Sequence, residues 1–213
     1  MSFFHRMRGI RDKIPKSSSV LSVVHIVYGR PRSGKSYYFA EQIQRSKNSG
    51  RQIVTNFQVL GCGAKKFNDK LLHGSYVYDS DIYIDEAYTF FNSRTFKNFT
   101  RSMHEFFSLC GHCGNRIYLI SQHPARLDRI IREVTTYFVE VSCVLRVPRS
   151  GCPILFMRKY YDVDPCEITS EGQKRMVKPV YREWSFFRRS VASVYDCQAC
   201  RSTEAPLELE PWD

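Results

Sequence analysis

Apolar and polar positions alternate along this chain in a strand–helix rhythm over the first ~135 residues. Residues 21–28 are rich in Val and Ile with few polar breaks, as expected of a strand buried on both faces. A helical pattern follows over 35–45 and closes at Asn48, Ser49 and Gly50. Short apolar runs at 52–55, 82–85 and 116–121 predict three more strands. Helical patterns are read at 87–91, at 100–109 ahead of Gly111 and Gly114, and at 124–132. Residues 135–147 and 154–163 then alternate around the turn 148–153, which predicts an antiparallel hairpin. Beyond Asp164 the pattern weakens, and the segment reads as irregular. Together these elements predict an α/β fold with a mainly parallel sheet flanked by helices, an antiparallel hairpin and a small C-terminal appendage.

Composition changes this picture little. At 213 residues, with 43% hydrophobic and 25% charged positions, the chain fits one globular domain with a small addition. No apolar run reaches about 18 residues, and the start of the chain has no signal-peptide core, so a cytoplasmic setting is expected. Charge adds more. A net charge of +11 points to polyanionic partners, nucleic acid or an acidic membrane face, with simple solubility as the plainer explanation. The bases Arg6, Arg8, Arg11, Lys13 and Lys16 mark a tail at 1–19, and Glu204, Glu208, Glu210 and Asp213 an acidic end. The core domain is read as 20–163, followed by an appendage and tail at 164–213. Lys174, Arg175, Lys178, Arg182, Arg188 and Arg189 mix with Tyr181, Trp184, Phe186 and Phe187. That mix suits single-stranded DNA, an interfacial membrane contact, or a small appendage packing its aromatics on the core. Eight cysteines in a chain of this kind read as reduced thiols. The pairs Cys110/Cys113 and Cys197/Cys200 have thiolate spacing for zinc but lie much further apart than the roughly 15–20 residues of a zinc ribbon, so zinc is not expected.

The chemistry lies in three strand ends. Gly29, Arg30, Pro31, Arg32, Ser33, Gly34, Lys35 and Ser36 match the phosphate-loop pattern G-x-x-x-x-G-K-[ST] between a strand and a helix. Glycines let backbone N–H groups turn towards phosphates, and the helix start adds its positive dipole end. Lys35 is expected to reach the β and γ phosphates of ATP, and Ser36 to give its hydroxyl to Mg²⁺. The run 81–86 is a short apolar strand closing in two carboxylates. Asp85 is expected to hold Mg²⁺ beside Ser36, and Glu86 to polarise the attacking water. Helix capping is the alternative use of that pair. The strand 117–121 runs into Gln122, a candidate sensor of the γ-phosphate.

These residues resemble the zonula occludens toxin family, which includes the assembly ATPases of filamentous phages. The resemblance rests on 28–36, Thr55-Asn56, 82–87, 91–94, His112-Cys113-Gly114 and 120–122, with Arg132 and Tyr195 extending it. It covers roughly residues 23–145, with fainter likeness to about 202. It implies an additional-strand P-loop fold, a ring-like homo-oligomer, and an ATPase that powers export or packaging of single-stranded viral DNA from the host cytoplasm. A membrane or coat-protein partner is a further expectation, with the chain peripheral to the inner membrane. Arg94 and Arg132 become candidate arginine fingers for a neighbour's site, against the plainer reading of each as a surface or DNA-facing base. Members of the family usually carry a membrane span after the ATPase domain, which this sequence lacks, and no toxin activity is implied. Two rivals stand beside this reading: a P-loop kinase of a small metabolite, and a nucleotide-switched DNA-binding or scaffold protein with little turnover.

Overall fold

Strands that are apolar on both faces need cover on both sides, and the chain supplies it with helices. The computed structural model describes residues 23–92, 100–166 and 177–195. Eight strands form one sheet: β1 (Val23–Tyr28), β2 (Gln52–Thr55), β3 (Lys65–Lys66), β4 (Ser80–Ile84), β5 (Arg116–Ser121), β6 (Tyr137–Arg146), β7 (Pro153–Tyr161) and β8 (Tyr181–Phe186). Their spatial order is β3-β2-β4-β5-β1-β6-β7-β8. The six strands from β3 to β6 are parallel; β7 and β8 extend the sheet antiparallel. β5 lies between β1 and β4, so one additional strand separates the strand that enters the phosphate loop from the strand that ends in Asp85-Glu86.

The helices are α1 (Lys35–Asn48), α2 (Arg101–Leu109), α3 (Arg129–Glu133) and α4 (Arg189–Ala192). On one face of the sheet, Ile26, Ile82, Ile84, Ile117 and Leu119 pack with Phe106, Phe107 and Ile131 of α2 and α3. On the other, Val27, Tyr83, Tyr118 and Ile120 pack with Tyr38, Phe39 and Ile43 of α1. His25 stacks on Tyr118 (centroids 4.7 Å apart), which stacks on Tyr83 (4.8 Å). No helix among the described residues is long and apolar enough to cross a membrane.

Three expectations are corrected. The helical pattern at 87–91 yields only a 3-10 turn, Ala87–Thr89. The predicted helix at 124–132 breaks in two, because His123 caps one turn and Asp128 caps α3 by accepting the Ile130 N–H at 2.9 Å. The segment after 164, read as irregular, supplies β8 and α4, and β8 pairs with β7 in the same sheet. The reason is an inverted pattern: the polar Glu183 and Ser185 face inward, towards the fully buried Arg158 and Glu41, while Trp184 and Phe186 face out.

Candidate functional site

The loop 29–36 leaves β1 and turns directly into α1. Gly34 caps that helix at φ 102° with no side-chain bond to its first turn, which leaves the helix start open to an anion. A Cβ on Gly34 would lie 2.3 Å from Cε1 of Phe156, and one on Gly29 would lie 2.4 Å from the Val141 carbonyl oxygen. The hairpin thus presses against the loop at both glycines. Arg146, on the same hairpin, donates to the Arg32 carbonyl and, at 2.9 Å, to that of Gly151. The Ser33 hydroxyl is buried with no hydrogen-bond partner among the described residues. Lys35 folds over its own loop, its ammonium donating to the carbonyls of Gly29 (2.9 Å) and Arg30 (3.0 Å). Burial pushes its pKa below the ordinary lysine value, and the carboxylates of Asp85 and Glu86 oppose that shift.

Asp85 follows the last residue of β4. Its position is set by Asn56, which accepts the Asp85 N–H at 2.8 Å and donates to the Asp85 carbonyl at 3.0 Å. One side-chain amide thereby prolongs the β2–β4 ladder beyond Thr55. The Asp85 carboxylate accepts the Glu86 N–H at 2.8 Å and the Tyr195 hydroxyl. Glu86 is exposed and left-handed (φ 48°, ψ 44°), a conformation costing a non-glycine residue about 1 kcal/mol or more. Thr89 stabilises it through two bonds to the Glu86 carbonyl, 2.8 Å from N–H and 2.9 Å from the hydroxyl. Tyr88 donates to the Glu86 carboxylate at 3.3 Å, and the Arg126 guanidinium lies 5.6 Å from the Tyr88 ring centre.

Lys35 and Ser36, Asp85 and Glu86, and Ser121 and Gln122 line one cavity of about 220 Å³. Three strand ends far apart in sequence therefore meet at one place. Other candidates fall elsewhere. Arg132 does not line the cavity; its guanidinium is half-buried and paired with Asp164. That pair ties α3 to the segment that follows β7. Arg94, Cys197 and Cys200 lie outside the described residues. Cys110 is buried, and its thiol donates to the Phe107 carbonyl at 2.9 Å. Asn56 and Tyr195 appeared in the sequence only as part of a likeness, and Tyr88, Arg126 and Arg146 not at all. The neighbourhood of Tyr88 to Glu86 is a signal in the sequence; the contacts of Asn56, Tyr195 and Arg146 exist only in three dimensions.

Comparison with known proteins bears on both halves of the site. Residues 70–146, which hold Asp85, Glu86 and Gln122 but not the phosphate loop, match the family model described as Zonular occludens toxin (Zot). The N-terminal domain of zonular occludens toxin from Neisseria meningitidis aligns with a TM-score of 0.57 at 13% identity, over 83% of this chain and 100% of that one. The genome packaging NTPase B204 from Sulfolobus turreted icosahedral virus 2, in complex with AMPPCP, aligns with a TM-score of 0.50 at 18% identity, over 77% and 100%. The fold is that of the P-loop NTPases, and residues 70–146 carry the Zot pattern. No curated protein matches the sequence. In this P-loop NTPase fold, the hard oxygens of Ser36 and Asp85, which line one cavity, fit Mg²⁺, which takes few protein oxygens and fills its octahedron with water and phosphate. The glycine cradle and the unpartnered Ser33 hydroxyl fit a phosphate chain.

Proposed function

We propose that this protein is a viral ATPase that couples ATP hydrolysis to virion assembly, export or packaging of single-stranded DNA, acting as a ring-like homo-oligomer. The observation that carries the reading is the meeting of Lys35 and Ser36 with Asp85, Glu86 and Gln122 around one cavity. The family match over 70–146 supports it, as does the likeness in fold to a viral genome packaging NTPase. Lys35 exchanges its two loop carbonyls for phosphate oxygens when nucleotide binds. Ser36 and Asp85 hold Mg²⁺, whose charge offsets that of the phosphates. Glu86 orients a water and takes its proton as the water attacks. Gln122, at the tip of the additional strand, contacts the terminal phosphate. Beside the loop, a cavity of about 370 Å³ bounded in part by Tyr37, Phe156, Phe187 and Tyr195 has the size and apolar lining for a nucleobase. The reading puts the work in the host cytoplasm, beside the inner membrane, with a membrane or coat protein as partner.

Glu86 and the basic surface favour this reading over a metabolite kinase or a nucleotide switch. The test is the ATPase rate per protomer against protein concentration, with and without single-stranded DNA. A rise with both is expected of a motor whose sites are shared between copies. A rate indifferent to both removes the motor reading.

A further inference from the structure

Strands β6, β7 and β8 turn one face towards α1 and the other away from it. On the first face Phe156, Arg158 and Tyr160 alternate with their β8 partners Ser185, Glu183 and Tyr181. Phe156 and Arg158 are buried there against Tyr37 and Tyr38 of α1. The opposite face carries two cross-strand rows, Ser142–Met157–Trp184 and Glu140–Lys159–Arg182, and the pair Leu155–Phe186. Trp184 and Phe186 remain 45% and 58% exposed on it. Lone exposed apolar residues need no explanation, but two large aromatics at alternate positions of one strand, with bases beside them, do. Residues two apart in a strand stand roughly 6.7 Å apart, so the two rings offer two neighbouring platforms.

The same face runs into a cleft of about 950 Å³ that reaches the outer side of the phosphate loop. Four arginines line it, Arg30, Arg32, Arg126 and Arg146, against one carboxylate, Glu140, which Lys159 already pairs at 3.1 Å. Gln122 lines both this cleft and the smaller cavity that holds Asp85 and Glu86.

We infer that this face binds single-stranded nucleic acid, with bases stacking on Trp184 and Phe186 and the phosphate backbone crossing Arg182 towards the arginine-lined cleft. The inference rests on the DNA-coupled reading above and adds where the strand runs. Aromatic rings on an open sheet face with flanking bases suit unpaired bases, whose π-faces are free, better than a duplex. The cleft would also bring the strand within reach of the loop that holds nucleotide, which gives coupling a short path.

The experiment compares wild type, the double variant Trp184→Ala/Phe186→Ala, and Arg182→Gln. Binding of fluorescein-labelled oligo-dT is measured by anisotropy over a salt series, with duplex DNA and phosphatidylglycerol vesicles as parallel probes. The double variant is expected to bind oligo-dT about ten- to a hundredfold more weakly while keeping basal ATP turnover and its far-UV circular dichroism. Arg182→Gln is expected to lower the slope of log Kd against log salt by about 0.7. If both variants bind oligo-dT as wild type does, the strand runs elsewhere and this inference falls, while the DNA-coupled reading stands. If the double variant loses vesicle binding or changes oligomeric mass with oligo-dT affinity intact, the face serves a membrane or a protein and the inference again falls. If wild type binds no oligo-dT and gains no turnover from it, the underlying reading itself fails.

Discussion

Strand β4 has a carboxylate at each end, and the two ends do opposite things. Asp81 at its start is fully buried and fully paired. Arg51 donates to it at 2.8 Å, Arg116 through two nitrogens, and Ser46 of α1 through its hydroxyl. At the other end Asp85 is half-buried and Glu86 exposed; Asn56, Thr89, Tyr88 and Tyr195 hold them on the wall of a cavity that Lys35 also lines. One end spends its charge on joining β4, β5 and α1. The other leaves its two carboxylates on a cavity that Lys35 and Ser36 also line. Burial and partner count, not residue type, separate the structural carboxylate from the two candidates for chemistry.

The largest way to break this comparison is at the open end. Lys35→Ala is expected to weaken ATP binding about a thousandfold, roughly 4 kcal/mol, with the urea midpoint within error of wild type; calorimetric titration and denaturation read the two. Asp81→Asn should do the reverse. Removing one partner of a buried pair costs about 3 kcal/mol here, at the low end because Arg51 and Arg116 can turn to water. Its Mg-ATP affinity at a temperature where it is folded should match wild type, and a large loss of affinity there would erase the distinction between the ends.

His25 sharpens the sealed end by pH. Burial, reinforced by Arg116 and opposed by Asp81, lowers its pKa to about 3. The folded state therefore holds it neutral while the unfolded chain takes up a proton below the usual value of about 6.5. Stability attributable to this group is full above that value and falls as pH drops towards 3, by about 2 kcal/mol between pH 6.5 and 5. Unfolding free energies of wild type and His25→Phe, from urea titrations across that window, should diverge by this amount; parallel curves would show that the imidazole is not held neutral. Smallest is Tyr195→Phe, which deletes one donor to Asp85. A few-fold rise in the Mg²⁺ concentration needed for half-maximal nucleotide binding is expected, at unchanged stability, and an unchanged requirement would make Tyr195 a packing residue only.

Much of this was legible in the sequence, for physical reasons that also mark the boundary of legibility. The strands β1, β2, β4 and β5 are apolar on both faces, so their runs stand out whatever surrounds them, and the phosphate loop is a local motif. Asp85 and Glu86 could be tied to it because a strand end fixes where its next residue lies. The additional strand could be expected only from the family likeness, since strand order is not written in periodicity. β8 was hidden because two of its three inward positions are Glu183 and Ser185, which pair with Arg158 and Glu41 of distant elements. A reader of hydrophobicity turns that strand inside out. The Arg132–Asp164 pair was hidden for a related reason: nothing near Arg132 in sequence announces Asp164.

The central claim is that the loop carrying Lys35 and the strand end carrying Glu86 form one hydrolytic centre. Single-turnover hydrolysis of bound Mg-ATP by Glu86→Gln tests it most directly. The account predicts a dissociation constant within about threefold of wild type and hydrolysis slowed by about 10² to 10⁴. Hydrolysis at the wild-type rate would contradict it, because the carboxylate facing Lys35 would then have no part in the chemistry.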